Sequence, residues 1–155
     1  MDLFEAIKNR HMCRNFDTEK AIPDDVMEKL IDAGKSAPSA GGLKDQRFKV
    51  VSDWETKNML VEASLDQKQL ADASAVIVVS SDLDVMGGKY GDRGEKLYAA
   101  QDCAASVQNI LLACTALGLG ACWIGAFDAE SVKKILDLPD SYKTTILVAV
   151  GYEKL

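Results

Sequence analysis

Residues 103–127 read CAASVQNILLACTALGLGACWIGAF and contain no Asp, Glu, Lys or Arg. The part from Val107 to Gly118 is apolar on nearly every face of a helix, which is typical of a helix buried all round. A membrane span needs about 20 continuous apolar residues, whereas polar side chains and Gly118-Leu119-Gly120 interrupt this stretch. We therefore predict a fully buried central helix over residues 95–117 that ends at Gly118, a suitable residue for a helix C-cap.

The composition of the whole chain is that of an ordinary globular protein. Its 155 residues are 48% hydrophobic and 27% charged, which suits one core, so we expect a single domain over residues 1–155. The formal net charge is -6, so we expect neither nucleic acid nor an acidic membrane as a partner. The N-terminus opens on acidic residues instead of a basic stretch followed by an apolar run, which predicts a cytoplasmic protein.

Helical and extended patterns alternate on both sides of the central helix. Helices are predicted at residues 2–10, 23–37, 53–71 with an interruption near Asp66, and 128–136. Strands are predicted at residues 47–51, 75–79, 121–124 and 144–150. Residues 82–94 contain four glycines and are predicted to form a surface loop. This order is too irregular for a doubly wound parallel sheet, so we expect an α+β fold with four or five strands around the central helix.

Two of the four arginines lie close together, in Arg10-His11-Met12-Cys13-Arg14 at the end of the first predicted helix. Guanidinium groups bind phosphate through two parallel hydrogen bonds, so this pair is a candidate anchor for a phosphorylated ligand. The alternative is that Arg10 and His11 only complement the negative end of the helix dipole. The sequence alone leaves both readings open.

Two further segments have the composition of ligand-binding loops. Pro38-Ser39-Ala40-Gly41-Gly42 consists of small residues that let a flat ligand approach the backbone, although a plain connection between a helix and a strand would look the same. The Gly118-Leu119-Gly120 run fails as a dinucleotide-binding fingerprint, because it closes a helix where that fingerprint opens one. After the following strand, Gly125 and Ala126 could present backbone N–H groups to a ligand.

Other catalytic and metal-binding templates are absent. The chain has no GxxxxGK[ST] phosphate loop, no GxSxG nucleophile motif and no HExxH zinc motif. Its four cysteines form no CxxC pair, which predicts reduced structural thiols and no metal, with only Cys13 near the arginine pair. The carboxylates show no paired spacing, so we expect them to be solvated at the surface.

In this order, the segments resemble the nitroreductase family of flavoproteins over essentially the whole chain. Arg10-His11-Met12-Cys13-Arg14 is similar to its Arg-Arg/His-Ser-x-Arg/Lys motif, and residues 37–42 are similar to its Ala-Pro-Ser-x-Gly-Asn motif. The apolar helix that leads through Gly-Leu-Gly into a strand ending near Phe127 also matches, as does Gly151-Tyr152. The resemblance implies an α+β fold with a mainly antiparallel sheet and an intertwined homodimer that holds FMN noncovalently between its chains.

The resemblance implies a phosphate side of the site. Arg10 and His11 would hold the phosphate and the ribityl chain. The serine of the family motif is replaced by Met12 or displaced to Cys13, and either change removes a hydroxyl from the phosphate side. Lys154 would substitute for the basic tail of longer relatives. Arg14 would lie towards the pyrimidine edge of the ring, where a cation stabilises the negative charge that develops on reduction.

The resemblance also implies a ring side that both chains build. Loop residues of the other subunit would pack on the ring, and these are Pro38, Ser39, Ala40 and Gly42, the last in place of an asparagine. The strand end would lie at the hydride-accepting edge, where Gly125 and Ala126, next to Ile124, would donate backbone hydrogen bonds. Lys44-Asp45-Gln46 replaces a common Gln-Pro-Trp, which implies an altered pocket wall.

The implied function is an FMN-dependent oxidoreductase that passes reducing equivalents from NADH or NADPH to a small acceptor, such as a nitroaromatic or a quinone, by a ping-pong mechanism. The flavin carries the redox chemistry, which accords with the absence of an acid–base constellation. One alternative is an enzyme of the same fold with another flavin reaction, such as dehalogenation or flavin cleavage. The other alternative is a noncatalytic flavin-binding or regulatory dimer.

Overall fold

The structure, a computed structural model, describes residues 1–154 and has the predicted α+β architecture. Its strands are β1 (Gln46–Val51), β2 (Ala75–Asp82), β3 (Gly120–Ile124) and β4 (Tyr142–Gly151). They form a sheet in the order β1-β2-β4-β3, in which every neighbouring pair is antiparallel. The helices are α1 (Leu3–Asn9), α2 (Asp24–Lys35), α3 (Trp54–Glu62), α4 (Gln69–Asp72), α5 (Leu83–Arg93), α6 (Ala99–Ala116) and α7 (Ala129–Leu136).

The two central strands, β2 and β4, separate two hydrophobic cores, because the side chains of a strand point alternately to opposite faces. Val76 and Val78 of β2 lie in a core with residues of α3, α4 and α7. Ile77 and Val79 lie in a second core with residues of α2 and α6. Helices therefore cover both faces of the sheet, while β3 lies at one of its edges.

The predicted end of the central helix at Gly118 is confirmed. Gly118 has a φ of 73°, its N–H donates to the Thr115 carbonyl at 3.2 Å, and the Leu119 N–H donates to the Cys114 carbonyl at 2.8 Å. These two hydrogen bonds form a Schellman motif, which satisfies the last carbonyls of the helix. The chain then enters β3 directly, so the position of this edge strand depends on how α6 ends.

The prediction that the central helix is buried all round is wrong for a single chain. Val107 and Ile110 of α6 are fully buried against the sheet, but Ala100, Gln101 and Gln108 are exposed on another face. The absence of charged residues predicts that the helix is shielded from water, but it does not identify what covers the helix. No helix in residues 1–154 is both long and apolar enough to cross a membrane.

Helix α1 also has an uncovered apolar surface. Its Asp2 N-cap and Glu5 form a reciprocal capping box, which explains why this short helix begins where the sequence predicts. However, Leu3, Phe4 and Ile7 are 60%, 79% and 50% exposed. Large apolar side chains that cluster at a surface indicate a contact with another molecule.

The prediction of a surface loop at residues 82–94 is wrong, because most of this segment forms α5. Asp82 caps the helix by accepting a hydrogen bond from the Asp84 N–H at 3.2 Å, and Met86 is fully buried. A π-helical turn at Gly94–Tyr98 joins α5 to α6. A Cβ on Gly94 would lie 2.8 Å from the Met86 carbonyl oxygen, so this glycine allows two helical turns to pack closely.

We expect Gly118→Ala to lower the free energy of unfolding by about 1 kcal/mol, because alanine is strained at a positive φ. Gly88→Ala is the matched control: space is open around both glycines, but Gly88 lies within α5 and has no positive φ. The control should raise the free energy of unfolding by about 0.5 to 1 kcal/mol. Urea denaturation measures both values, and equal effects of the same sign would refute the cap assignment.

Candidate functional site

The segment that contains the arginine pair lies along the outer edge of β3. The Cys13 N–H donates to the Ala121 carbonyl at 2.9 Å, and the Trp123 N–H donates to Met12 Sδ at 3.3 Å. The segment thus covers the edge that β3 would otherwise expose to solvent. The Met12 side chain is half-buried and contacts the core on the α6 face, so it supports the strand edge.

The C-terminal segment joins the same region. The Lys154 N–H donates to the Asn15 carbonyl at 3.0 Å, and the Asp17 N–H donates to the Tyr152 carbonyl at 2.8 Å. Lys154 therefore lies one residue away from Arg14 across this pairing. The structure brings together the residues that were predicted for a phosphate side, namely Arg10, His11, Met12, Arg14 and Lys154.

The side chain of one of these residues, His11, already has a carboxylate partner. His11 Nε2 lies 3.0 Å from Glu153 Oε2, and its Nδ1 lies 3.2 Å from the Asn9 carbonyl oxygen. The carbonyl of Asn9 and the carboxylate of Glu153 raise the pKa of His11. Among residues 1–154, neither Arg10 nor Arg14 forms an ion pair. Arg10, Arg14 and Lys154 are thus the cations of this group that form no ion pair among the described residues.

The end of β3 presents backbone to solvent beside this segment. Ile124 is buried, whereas Gly125 and Ala126 are exposed. Gln67, which follows α3 and which the sequence reasoning missed, donates from Nε2 to the Ala126 carbonyl at 2.9 Å and to the Ser64 carbonyl at 2.9 Å. No motif around Gln67 signals this role, which arises only from the packing of α3 against α7.

Cys13, the cysteine next to the arginine pair, has a structural position. Its side chain packs directly against Gly120, where a Cβ would lie 2.7 Å from the Cys13 Cβ. Burial raises the pKa of the Cys13 thiol, so the reactive thiolate is disfavoured. All four cysteines are buried and none forms a disulfide, which agrees with the prediction of reduced structural thiols.

The loop at residues 38–42 is tied to the opposite end of α6. The Ala40 N–H donates to Asp102 Oδ2 at 2.9 Å, the Lys44 N–H donates to Ser39 Oγ at 2.9 Å, and Gln46 Nε2 donates to the Pro38 carbonyl at 3.0 Å. Pro38 and Gly42 are exposed, while Ser39 and Ala40 are half-buried. The loop thus has a fixed inner side and an outer side that faces solvent.

Two carboxyl groups lie beneath this loop, which corrects the prediction that the carboxylates are at the surface. Asp45 is completely buried and Asp102 is 7% exposed. Burial and the neighbouring Asp45 raise the pKa of Asp102 to about 6. A sequence signal existed, because Asp102, Ser106 and Ile110 follow the helical repeat of the buried face. Asp45 and Gln46, from the segment that is expected to alter a pocket wall, are both buried beneath the loop.

The loop and the arginine segment are far apart within one chain. The loop is bonded to the first turn of α6, whereas Cys13 packs against Gly120, beyond its last turn. The 18 residues of α6 span about 27 Å. No hydrogen bond within residues 1–154 joins the two groups, and a cavity of about 640 Å³ between Thr18–Ala21 and helices α3 and α4 is lined by none of the predicted site residues.

Comparison with known proteins gives consistent matches. The profile of the nitroreductase family matches residues 7–84 and 62–152. A protein of Archaeoglobus fulgidus, provisionally named NADH dehydrogenase/NAD(P)H nitroreductase, is 33% identical over an alignment of 141 positions that covers 88% of this chain and 78% of that protein. The NADH dehydrogenase of Thermus thermophilus is 28% identical over an alignment of 179 positions, gaps included, that covers 98% of this chain and 87% of that protein.

A solved structure has the same fold. The crystal structure of a protein of Clostridium acetobutylicum, provisionally named NADH oxidase, matches with a TM-score of 0.86 and 32% identity, covering 96% of this chain and 87% of that chain. These matches confirm the predicted fold and the resemblance on which it was based. The chain belongs to the nitroreductase family.

Proposed function

We propose that this chain is an FMN-dependent oxidoreductase that transfers reducing equivalents from NADH or NADPH to a small acceptor, such as a nitroaromatic or a quinone, by a ping-pong mechanism. The observation that carries the proposal is the position of Arg10 and Arg14, which lack ion pairs among residues 1–154 and belong to the segment that lies along the outer edge of β3. Membership of the nitroreductase family and the NADH- and NAD(P)H-dependent names of the relatives support it.

The chemistry of the residues fits FMN. A phosphate needs cations and hydrogen-bond donors, and Arg10 and Arg14 supply them in a chain whose net charge is -6. The polar edge of a flat ring needs accessible backbone groups to which it can form hydrogen bonds, and Gly125 and Ala126 are exposed at the end of β3. Glu153 opposes phosphate binding near His11, because its negative carboxylate already pairs with that imidazole. Arg10 is therefore the main phosphate anchor in this proposal.

We propose a homodimer because the two parts of the site lie at opposite ends of α6 within one chain: the loop at residues 38–42 at its first turn and the arginine segment beyond its last turn. A second copy would place the partner's Pro38, Ser39, Ala40 and Gly42 on the ring bound to the first chain. It would also cover the exposed face of α6 and the apolar side chains of α1, Leu3, Phe4 and Ile7. Burial of such apolar surface drives association.

The bound flavin would supply the electron transfer, so the protein needs only to bind, orient and stabilise charge. Arg14 would provide a fixed positive charge next to the ring, which favours the reduced, more negative form. The backbone N–H groups of Gly125 and Ala126 would donate hydrogen bonds that orient the ring without any rearrangement of side chains.

The purified protein should be yellow and bind FMN, and anaerobic addition of NADH or NADPH should bleach the flavin absorption. A nitroaromatic or a quinone should then restore the oxidised spectrum. If flavin is bound but neither nucleotide reduces it, the chain is a noncatalytic flavin-binding protein and the proposed function is refuted. A colourless protein that cannot be reconstituted with FMN would refute flavin binding itself.

Arg10→Ala should weaken FMN binding by about 1.5 to 3 kcal/mol, because it removes a charge-assisted hydrogen bond to phosphate. The control is Lys29→Ala, which removes one positive charge from α2, where Lys29 pairs with Asp25 of the same helix at 3.5 Å. Fluorescence titration of the apoprotein with FMN measures both dissociation constants. If Arg10→Ala binds FMN as tightly as Lys29→Ala does, Arg10 is not the anchor.

A further inference from the structure

The buried carboxyl groups of Asp45 and Asp102 lie at the base of the loop that is proposed to contact the ring. They are within hydrogen-bonding reach of each other, although they come from positions 57 residues apart on either side of β2. Asp102 Oδ2 accepts the Ala40 N–H at 2.9 Å, and Asp45 Oδ2 accepts the Ser81 hydroxyl. The pair therefore links the loop to the first turn of α6 and to the end of β2.

One oxygen of this pair has no donor. Asp45 Oδ1 is buried, and no N–H or O–H group in residues 1–154 donates to it. A buried acceptor without a donor is costly, and two adjacent buried carboxylates repel each other. A proton on the carboxyl of Asp102 would remove both costs, since it would donate to Asp45 and leave a single negative charge on the pair.

The loop depends on this arrangement at several points. Gln46 Nε2 donates to the Asp102 carbonyl at 3.2 Å as well as to the Pro38 carbonyl, and Lys44 Nζ donates to the Ala37 carbonyl at 2.7 Å. The side chain of Asp102 is the acceptor of the Ala40 N–H. If Asp102 turned away from Asp45, the Ala40 end of the loop would lose its attachment.

We propose that Asp45 and Asp102 share one proton, and that this proton holds the loop at residues 38–42 in the shape that contacts the flavin of the partner subunit. Asp102 is thus a positioning residue, which acts on the ligand through the Ala40 N–H. The part of this inference that concerns flavin rests on the function proposed above. The shared proton itself does not.

The other titratable and charged groups around Asp45 and Asp102 do not change the assignment of a shared proton to this pair. Lys44 acts on Asp102 in the opposite direction to burial and Asp45, yet the pKa of Asp102 still rises. The Cys103 thiol, which Asp45, Asp102 and Lys143 all influence, stays neutral because burial raises its pKa to about 12. On β2, Asp82 forms an ion pair with Arg47 at 3.2 Å, so its charge is compensated.

The raised pKa of Asp102 determines how stability changes with pH. Its value of about 6 in the folded chain exceeds the ordinary 3.8 of an aspartate. The stabilisation by the proton is therefore complete below the unfolded-state pKa and is lost as the pH rises through about 6. Relative to a chain without this titration, the folded-to-unfolded ratio should fall about tenfold between pH 5 and pH 7.

The first test is made on the apoprotein with Asp102→Asn, whose amide can donate to Asp45 and accept from Ala40 at every pH. The folded-to-unfolded ratio of the wild type, divided by that of Asp102→Asn, should fall about tenfold from pH 5 to pH 7. Asp45→Asn should reduce the same pH dependence, because it removes the neighbouring carboxylate but leaves Asp102 buried, and it serves as a second variant if Asp102→Asn does not fold. Asp92→Asn, an exposed acid that pairs with Lys96 on the surface, should keep the wild-type profile.

A second readout is the infrared carbonyl band of a protonated carboxylic acid. The folded wild type should show this band at pH 5, with loss at higher pH, and Asp102→Asn should lack it. A merely structural role for Asp102 would leave no such band. The absence of the band at pH 5, or a stability ratio between wild type and Asp102→Asn that does not vary with pH, would overturn the shared proton.

The part of the inference that concerns the flavin is tested by titration of each protein with FMN at pH 5, 6, 7 and 8. The dissociation constant of the wild type, divided by that of Asp102→Asn, should rise several-fold over this range, and division cancels the titration of the phosphate and of His11. If FMN binds but this ratio is constant, the loop is not positioned by the proton. If no FMN binds to either protein, the proposed function fails, while the apoprotein measurements still decide the shared proton.

Discussion

The packing of α6 against the antiparallel sheet is the constraint on which the rest of the structure depends. Val107 and Ile110 bury one face of this helix in the sheet, and its two ends then fix separate parts of the candidate site. At its first turn, Asp102 holds the loop at residues 38–42 through the Ala40 N–H. Past its last turn, the Gly118 motif leads into β3, whose outer edge binds the Arg10–Arg14 segment. A single helix thus determines where both halves lie.

Charge is distributed so that a few cations stand apart from an acidic surface. The chain has a net charge of -6, yet Arg10 and Arg14 have no ion-pair partner among the described residues, while His11 is paired with Glu153 at 3.0 Å. Beneath the loop the reverse arrangement occurs, with two carboxyl groups withdrawn from solvent. Only the buried carboxyl groups cost free energy in the isolated chain, because Arg14 is exposed and Arg10 is half-buried.

The sequence predicted the sheet and most of the helices because their patterns are local. The β-branched run at residues 75–79 and the uncharged run at residues 103–127 identify the centre of the fold without any knowledge of contacts. The glycines of residues 82–94 were misleading, since a glycine that allows close packing, as Gly94 does on Met86, looks the same in sequence as one in a flexible loop. The pairing of Asp45 with Asp102 and the contact of Gln67 with Ala126 join distant segments, so no local pattern encodes them.

The central claim is that each flavin site is built from the arginine segment of one chain and the loop of another, and subunit complementation tests it most directly. Arg10→Ala and Pro38→Asp would be placed on two differently tagged chains, and the heterodimer isolated through both tags. At an FMN concentration where neither variant homodimer binds, the heterodimer should bind one FMN, because one of its two sites has a wild-type anchor and a wild-type loop. A heterodimer that binds no more FMN than the two homodimers would show that each site lies within a single chain.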